Sequence, residues 1–286
     1  MRVVTANVNG IRACARRGGL DWLRAQGAGV LALQEVRAHD DGLRKTLADA
    51  GLGDWHLAHS PSTAARGHAG VAILSRAGMT GVRVLPDPAF TAQGRYVEAE
   101  IATASGPLTV ASAYVHTGEA GTPRQAEKYA FLAAIGRRLE DWSREGRLAV
   151  LTGDLNIARS EADLKNWRGN LGKAGFLDEE RTLVDGWCAG PVVDVHRTLA
   201  GAGPGPYTWW SWRGRAFDND TGWRIDYQLA TPPLAGRART AVVGRAASYA
   251  ERWSDHAPVI VDYDIVSDTD GVVTATADAA AAQVGQ

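Results

Sequence analysis

Short apolar runs, too brief and too continuous for surface helices, recur along this chain, and most end abruptly in polar residues. Residues 3–8 read as a buried strand, with Asn7, Asn9 and Gly10 at its exit. Residues 29–35 read as a second, ending in Leu33-Gln34-Glu35. Residues 148–152 read as an apolar strand closing on Thr152 and deliver Gly153-Asp154-Leu155-Asn156. Residues 259–263 follow Ser254-Asp255-His256. Further strands are predicted over 70–75, 96–101, 107–114, 207–212 and 224–230. Helices are predicted over 19–25 and 40–50. A longer one starts at Thr122-Pro123-Arg124-Gln125, with Thr122 as cap and Gln125 completing a capping box, and stops at Gly146. Its apolar positions Tyr129, Leu132, Ile135, Leu139 and Trp142 keep helical spacing. Many strands with few interposed helices predict two packed sheets with helices outside.

The strand pattern runs unbroken to about residue 264, so we expect one domain over 1–264 rather than two small ones. The segment 265–286, rich in Ala, Asp and Thr, is expected to be a disordered tail. The chain carries a net charge of -1, so no global basic field exists and nucleic-acid binding would need a local patch. No window is apolar enough to span a membrane, and the N-terminus reads as a strand rather than a signal peptide. Cys14 and Cys188 match no metal or redox spacing, and free thiols suit a reducing, cytoplasmic location. Nothing demands an oligomer, and a monomer is expected.

Leu33-Gln34-Glu35, Gly153-Asp154-Leu155-Asn156 and Ser254-Asp255-His256 together supply carboxylates, an amide and an imidazole. That set can hold a hard divalent cation beside a phosphate and activate a water. Each motif alone has a plainer reading. Glu35 can be a solvated strand end. Asp154 and Asn156, two apart, point to one side if extended, yet they also suit a tight Asx turn. Asp226, flanked by apolar residues, needs a partner; His256 can fill that role, as can backbone N–H groups in a turn. Four tryptophans crowd together at Trp209, Trp210, Trp212 and Trp223, where core packing competes with a binding role.

Taken in order, Asn7-Val8-Asn9-Gly10-Ile11-Arg12-Ala13, Leu33-Gln34-Glu35, Gly94-Arg95, Tyr114, Gly153-Asp154-Leu155-Asn156-Ile157-Ala158, Trp223-Arg224-Ile225-Asp226-Tyr227 and Ser254-Asp255-His256-Ala257-Pro258 closely resemble the exonuclease III family of apurinic/apyrimidinic endonucleases. That family belongs to the DNase I-like endonuclease/exonuclease/phosphatase superfamily. The resemblance implies an α/β fold, a four-layer α/β/β/α sandwich of two mixed sheets with the active site at one sheet edge. It implies Mg²⁺, or Mn²⁺ in its place, held mainly by Glu35 with Asn9 and Asp255 nearby and Asn7 beside them. Asp154 would position or deprotonate the attacking water. Asn156 and Tyr114 would bond the scissile phosphate, and His256, paired with Asp226, would stabilise its developing charge. Arg12, Arg17 and Arg37 would lie near the DNA backbone. Asn166, Asn170 and Lys173 would border the lesion, and Trp209 and Trp223 would wall a pocket for a flipped sugar lacking its base.

The implied substrate is double-stranded DNA with abasic sites or blocked 3′ ends. Incision would fall 5′ to the lesion, and the implied 3′-5′ exonuclease and 3′-phosphodiesterase or 3′-phosphatase activities would use the same site. Two other readings stand beside it: a superfamily nuclease or phosphatase without abasic specificity, acting on RNA or a phosphoinositide among others, and a catalytically silent DNA-binding protein. The chain departs from the family pattern at His116 and Thr117, which follow the strand ending in Tyr114, and at His68 and Lys173.

Overall fold

The computed structural model describes residues 1–65 and 67–267. The strands are β1 (Arg2–Asn7), β2 (Val30–Gln34), β3 (His56–Ser60), β4 (Val71–Ser75), β5 (Met79–Arg83), β6 (Tyr96–Ile101), β7 (Leu108–Tyr114), β8 (Leu148–Asp154), β9 (Val193–Asp194), β10 (Asp226–Ala230), β11 (Ala238–Val243) and β12 (Val259–Tyr263). They form two six-stranded sheets, ordered β11-β12-β1-β2-β4-β3 and β5-β6-β7-β8-β10-β9. Each sheet is mixed: β1–β2 and β7–β8 are parallel and the other pairs antiparallel. A parallel pair needs a crossover. Helices α1 (Ile11–Arg16) and α2 (Gly19–Ala25) supply it for the first sheet, together with α3 (Asp40–Asp49) covering its outer face. After the short α4 (Pro88–Thr91), α5 (Pro123–Arg144) supplies it for the second, and α6 (Asp178–Ala189) packs beside α5. The short helices α7 (Val195–Ala200) and α8 (Pro232–Ala235) complete the chain. None of the helices among the described residues is long and apolar enough to cross a membrane.

The apolar runs are continuous because both faces of the central strands are buried. In β1, Val3 joins the layer between the sheets, while Val4 and Ala6 pack under the outer helices. In β8, Val150 faces inward and Ala149 and Leu151 face α5. With a side-chain period of two, the inward series is Val3, Thr5, Asn7 in β1; Val110, Ser112, Tyr114 in β7; Val150, Thr152, Asp154 in β8; and Ala230, Gln228, Asp226 in β10. Each series passes from apolar through hydrogen-bonding to strongly polar toward the same end of the sandwich.

The middle tier of these series bonds across and along the layer. Gln34 Nε2 donates to Ser112 Oγ at 2.9 Å, from one sheet to the other, and to Thr5 Oγ1 at 3.1 Å. Gln228 Nε2 donates to the carbonyls of Val3 and Val259 at 3.0 and 3.1 Å. A buried amide left unpaired would cost about 1–3 kcal/mol, so these bonds favour one relative placement of the sheets.

The four-layer sandwich matches the expected architecture, with three corrections in detail. The polar tier lies at the ends of central strands, not at a sheet edge. Residues 207–212 form no strand: Trp209 makes only isolated bridges, to Trp223 and His256. The capping box at Thr122 does not form, because the Thr122 hydroxyl donates to Glu119 O and Gln125 Nε2 to Glu180 Oε1. The chain also stays packed beyond Asp264: Ile265 is buried, and the Met1 ammonium donates to Tyr263 O and Ile265 O at 2.7 Å. The remainder of the expected tail, 268–286, lies outside the described residues.

Candidate active site

Strand register sets the site. Asn7 lies opposite Gln34 in the parallel β1–β2 pair, so Glu35 leaves the sheet beside Asn7. Asp154 lies opposite both Tyr114 and Asp226 in the second sheet. Asn7 Nδ2 joins the two sheets by donating to Glu35 Oε1 at 2.8 Å and to Asp154 Oδ2 at 3.0 Å. Asn7 Oδ1 accepts from Asn9 N at 3.1 Å, and Asn9 Nδ2 donates to Asp255 Oδ1 at 2.7 Å. Asn9, Glu35, Arg37 and Asn156 all hold φ between 47° and 51°. Left-handed backbone disfavours a side chain such as glutamate by about 1 kcal/mol or more. Sharp reversals directly after β1, β2 and β8 thus keep the polar side chains at the mouth of the inter-sheet layer.

Asp154 is 1% exposed. Burial pushes its carboxyl up to about 7, opposed by His256, while Asp226 and Glu35 add repulsion and the Asn156 N–H favours the ionised form. His256 Nδ1 lies 2.9 Å from Asp226 Oδ2, and its Nε2 lies 3.6 Å from Asp154 Oδ2. Burial disfavours the charged ring, but Asp226 and then Asp154 outweigh it and hold the imidazole protonated up to about 10. The Tyr114 hydroxyl is raised far above its ordinary value, first by burial and then by Glu35 and Asp154, so it stays a donor. Asn156 Nδ2 donates to Val115 O at 2.9 Å and approaches Asp154 Oδ2 at 3.4 Å.

Glu35, Asp154 and His256 each place a potential ligand atom within 4.8 Å of the others. A protonated imidazole offers no lone pair, so the oxygen donors of Glu35, with Asp154 beside it, fit a hard cation and His256 does not. Asp255 lines the same opening with both carboxylate oxygens engaged: Oδ1 accepts from Asn9 and Oδ2 from Trp209 Nε1 at 3.2 Å.

Beside this centre lies a cavity of about 360 Å³ lined by Glu35, Tyr114, Asp154, Gly175, Trp209 and Trp223 among others. Trp209 and Trp223 pack edge to face with centroids 6.4 Å apart. Gly175, at φ 88°, sits tight against Trp223: a Cβ there would lie 3.2 Å from both the Trp223 ring and Asn156 O. Trp210 is core, packed edge to face against Phe217. Trp212 is half-buried between Arg17 and Arg252, whose guanidinium carbons lie 5.4 and 4.2 Å from its ring.

The residues expected to face DNA divide into groups. Arg12 and Arg17 are exposed. Asn166, Asn170 and Lys173 share one loop, which Asn170 Nδ2 braces on Asn166 O at 2.9 Å and which runs on into Ala174 and Gly175 of the cavity lining. Arg37 is exposed too, and its guanidinium pairs with Glu35 Oε2, its Nε at 3.0 Å. His116 is buried among Phe90 and Phe131, bonded to Gln93, and held neutral down to about 3 mainly by burial.

Two further residues orient the site: Thr208 carried no signal in the sequence, and Ser254 entered only as part of the Ser254-Asp255-His256 run. Thr208 Oγ1 accepts from the N–H groups of Ile225 and Asp226, both at 3.1 Å, and so fixes Asp226. Ser254 Oγ donates to Asn7 O at 2.7 Å and accepts from His256 N at 3.2 Å.

Known proteins share this arrangement of chain. The model of the Endonuclease/Exonuclease/phosphatase family matches residues 4–256. The exodeoxyribonuclease of Bacillus subtilis is 28% identical over 264 residues, spanning 91% of this chain and 98% of its own. Among solved structures, the 3′ phosphatase NExo from Neisseria, bound to a product DNA hairpin, superposes with a TM-score of 0.79 at 29% identity, covering 92% of this chain and 99% of that one. An AP endonuclease from Archaeoglobus fulgidus does so with a TM-score of 0.81 at 25% identity, covering 92% and 99%. The chain therefore belongs to the Endonuclease/Exonuclease/phosphatase family, among the exonuclease III-like nucleases.

Proposed function

We propose that this protein is a Mg²⁺-dependent DNA repair nuclease. It cuts the phosphodiester 5′ to an abasic site in duplex DNA, leaving a 3′-hydroxyl, and trims 3′ ends as exonuclease and phosphodiesterase or phosphatase. The observation that carries this reading is the buried Asn7–Glu35–Asp154 and Asp226–His256 cluster opening on a cavity walled by Trp209 and Trp223.

Glu35 would hold the divalent cation, with Asn9 and Asp255 nearby. When bound, that cation polarises a phosphate oxygen and offsets its charge. Asp154, ionised above about pH 7, takes a proton from water, and Asn7 keeps its carboxylate aimed. The protonated His256 and the hydroxyl of Tyr114 donate toward charge gathering on the phosphate, and Asn156, whose Nδ2 keeps one hydrogen on Val115 O, would turn the other from Asp154 to the phosphate. Asp226 fixes the imidazole and favours its charged form.

Specificity follows from the wall. Two tryptophans and a side chain-free Gly175 leave a narrow slot that suits an extrahelical sugar and rejects one bearing a base. The exposed Arg12 and Arg17, with Lys173, supply charge for the backbone without reading sequence.

The test is cleavage of a labelled duplex carrying one abasic analogue, beside the same duplex with a normal nucleotide, with Mg²⁺ and with chelator. Metal-dependent incision only at the lesion supports the reading. Trimming from 3′ ends without incision makes the protein chiefly an exonuclease. Binding without cutting identifies a silent DNA-binding protein, and no effect on either duplex turns attention to RNA and phosphomonoester substrates.

A further inference from the structure

Beneath the site lies a cation with no part in the steps above. Lys128, on α5, is fully buried, as is Glu180 on α6. Its Nζ lies 2.6 Å from Glu180 Oε1 and donates to Asn156 O at 2.9 Å and to Thr117 O at 3.1 Å. An ammonium has three donors. Here each is spent on a different segment: α6, the turn after β8, and the exit from β7. Burial lowers the Lys128 pKa, opposed first by Glu180 and, from further off, by Asp154. Burying such an ion pair is no efficient way to stabilise a fold, since apolar residues of similar volume serve as well.

What the ammonium holds is specific. Thr117 and Asn156 both line the cavity, Asn156 in a left-handed conformation that its carbonyl bond to Lys128 helps to retain. Glu180 Oε2 accepts from Leu177 N at 3.1 Å, so the same pair also anchors the chain just past Gly175. The Cβ that Gly118 lacks would fall 2.9 Å from Lys128 Cδ, so the segment after Thr117 lies directly on this side chain.

We propose that Lys128 is a positioning residue for phosphodiester hydrolysis. By gripping the Asn156 and Thr117 carbonyls, it places the Asn156 amide and the Thr117 hydroxyl at the scissile phosphate. The inference rests on the phosphodiesterase reading of the site. It gives Lys128 no contact with substrate.

The test is a mutant cycle on whichever duplex the wild-type protein hydrolyses, abasic or 3′-recessed, so that absent abasic incision counts against the functional reading alone. Lys128→Met/Glu180→Gln removes both charges while leaving an acceptor for Leu177 N. All rates are read well below each variant's melting midpoint. We expect kcat to fall roughly 30-fold with KM within about threefold, because a misplacement near 1 Å can cost a hundredfold. In an Asn156→Ala background the same pair of changes should lower kcat clearly less, by about tenfold or under, because one of the two groups Lys128 acts through is already gone while Thr117 remains. Equal losses in both backgrounds, or an unchanged kcat, would overturn the proposal. Glu180→Gln alone guards against a merely structural effect. It keeps the grip of Lys128 on both carbonyls, so kcat should stay within about threefold of wild type. A loss matching that of the double variant would assign the effect to packing of the ion pair and sink the positioning role.

Discussion

On one side of the cavity, Asn7, Asp154, Asp226 and His256 sit at the ends or entrances of central strands, buried and bonded to one another. On the other side, Trp209, Trp223 and the loop 166–175 stand on irregular chain, and Arg12, Arg17 and Lys173 project into solvent. The first side is over-determined: strand register, cross-sheet amides and left-handed turns all fix the same few atoms. The second is fixed by a few bridges and rings packed edge to face. Water activation tolerates little displacement, whereas gripping a flexible duplex by its backbone tolerates much. The division predicts that changes on the buried side lower turnover, and that changes on the exposed side alter which DNA is cut and how salt matters.

Asp154→Asn should show the largest effect. It keeps shape and most hydrogen bonds but cannot accept a proton, so kcat should fall by about 10³-fold or more while affinity for abasic duplex stays within a few-fold. Single-turnover rates beside equilibrium binding in chelator check both halves of that statement. A parallel loss of affinity would show that the buried side also grips substrate, and the division would fail.

The pH dependence sharpens the same side. Asp154 works only when ionised, and its carboxyl is pushed up to about 7 chiefly by burial. Falling pH therefore protonates it, and kcat should drop about tenfold per unit well below that value. His256 works only when charged, and its partners hold it protonated up to about 10, so the rate should fall again above that. A divalent cation beside Glu35 would draw the acid limb lower. A pH–rate profile with no acid limb would remove Asp154 from proton transfer. His256→Gln, with nothing to titrate there, should lose the alkaline limb.

How much of this was legible in the sequence divides along the same line. The buried side was readable because its residues close apolar runs: Val3 to Asn7 and Val150 to Asp154 each leave the core at a polar residue, and the period of two aims both inward. The pairing of Asp226 with His256 was approachable too, since a carboxylate among apolar residues needs a partner. The loop side was not. Residues 207–212 look like a strand by composition, yet their aromatic side chains pack in several directions and the backbone forms only isolated bridges. Edge strands β3, β5 and β11 escaped notice because an edge lacks one buried face and so lacks the apolar run. Arg37 is exposed as a surface cation should be, but its pairing with Glu35 through the turn after β2 carried no signal in the sequence.

Trp209→Ala should act on selectivity before rate. Removing one wall widens the slot, so the preference for abasic over normal nucleotides should fall about tenfold, while cleavage at an abasic site changes severalfold at most. Trp209 also donates to Asp255, so Trp209→Phe, which keeps a ring and loses the donor, separates wall from hydrogen bond. If Trp209→Phe behaves as wild type in selectivity and Trp209→Ala does not, the ring is the determinant. Unchanged selectivity in both would place the discriminating wall elsewhere.

Arg17→Ala should have the smallest effect and the most diagnostic one. Its guanidinium is exposed and stacked over Trp212, away from the buried carboxylates. If it meets a phosphate, its loss should raise KM by about two- to fivefold at physiological salt and leave kcat alone. The slope of log affinity against log salt should fall by about one, because one fewer counterion is released. The effect should be equal on abasic and normal duplexes, since a backbone contact carries no lesion information. A change in kcat would mean that Arg17 acts through Trp212 on Arg252, which donates to Asp255 O at 3.0 Å, and so reaches the buried side after all. The exposed half would then be wired into the chemistry, and a double-mutant cycle between Arg17 and Arg252 would measure how strongly.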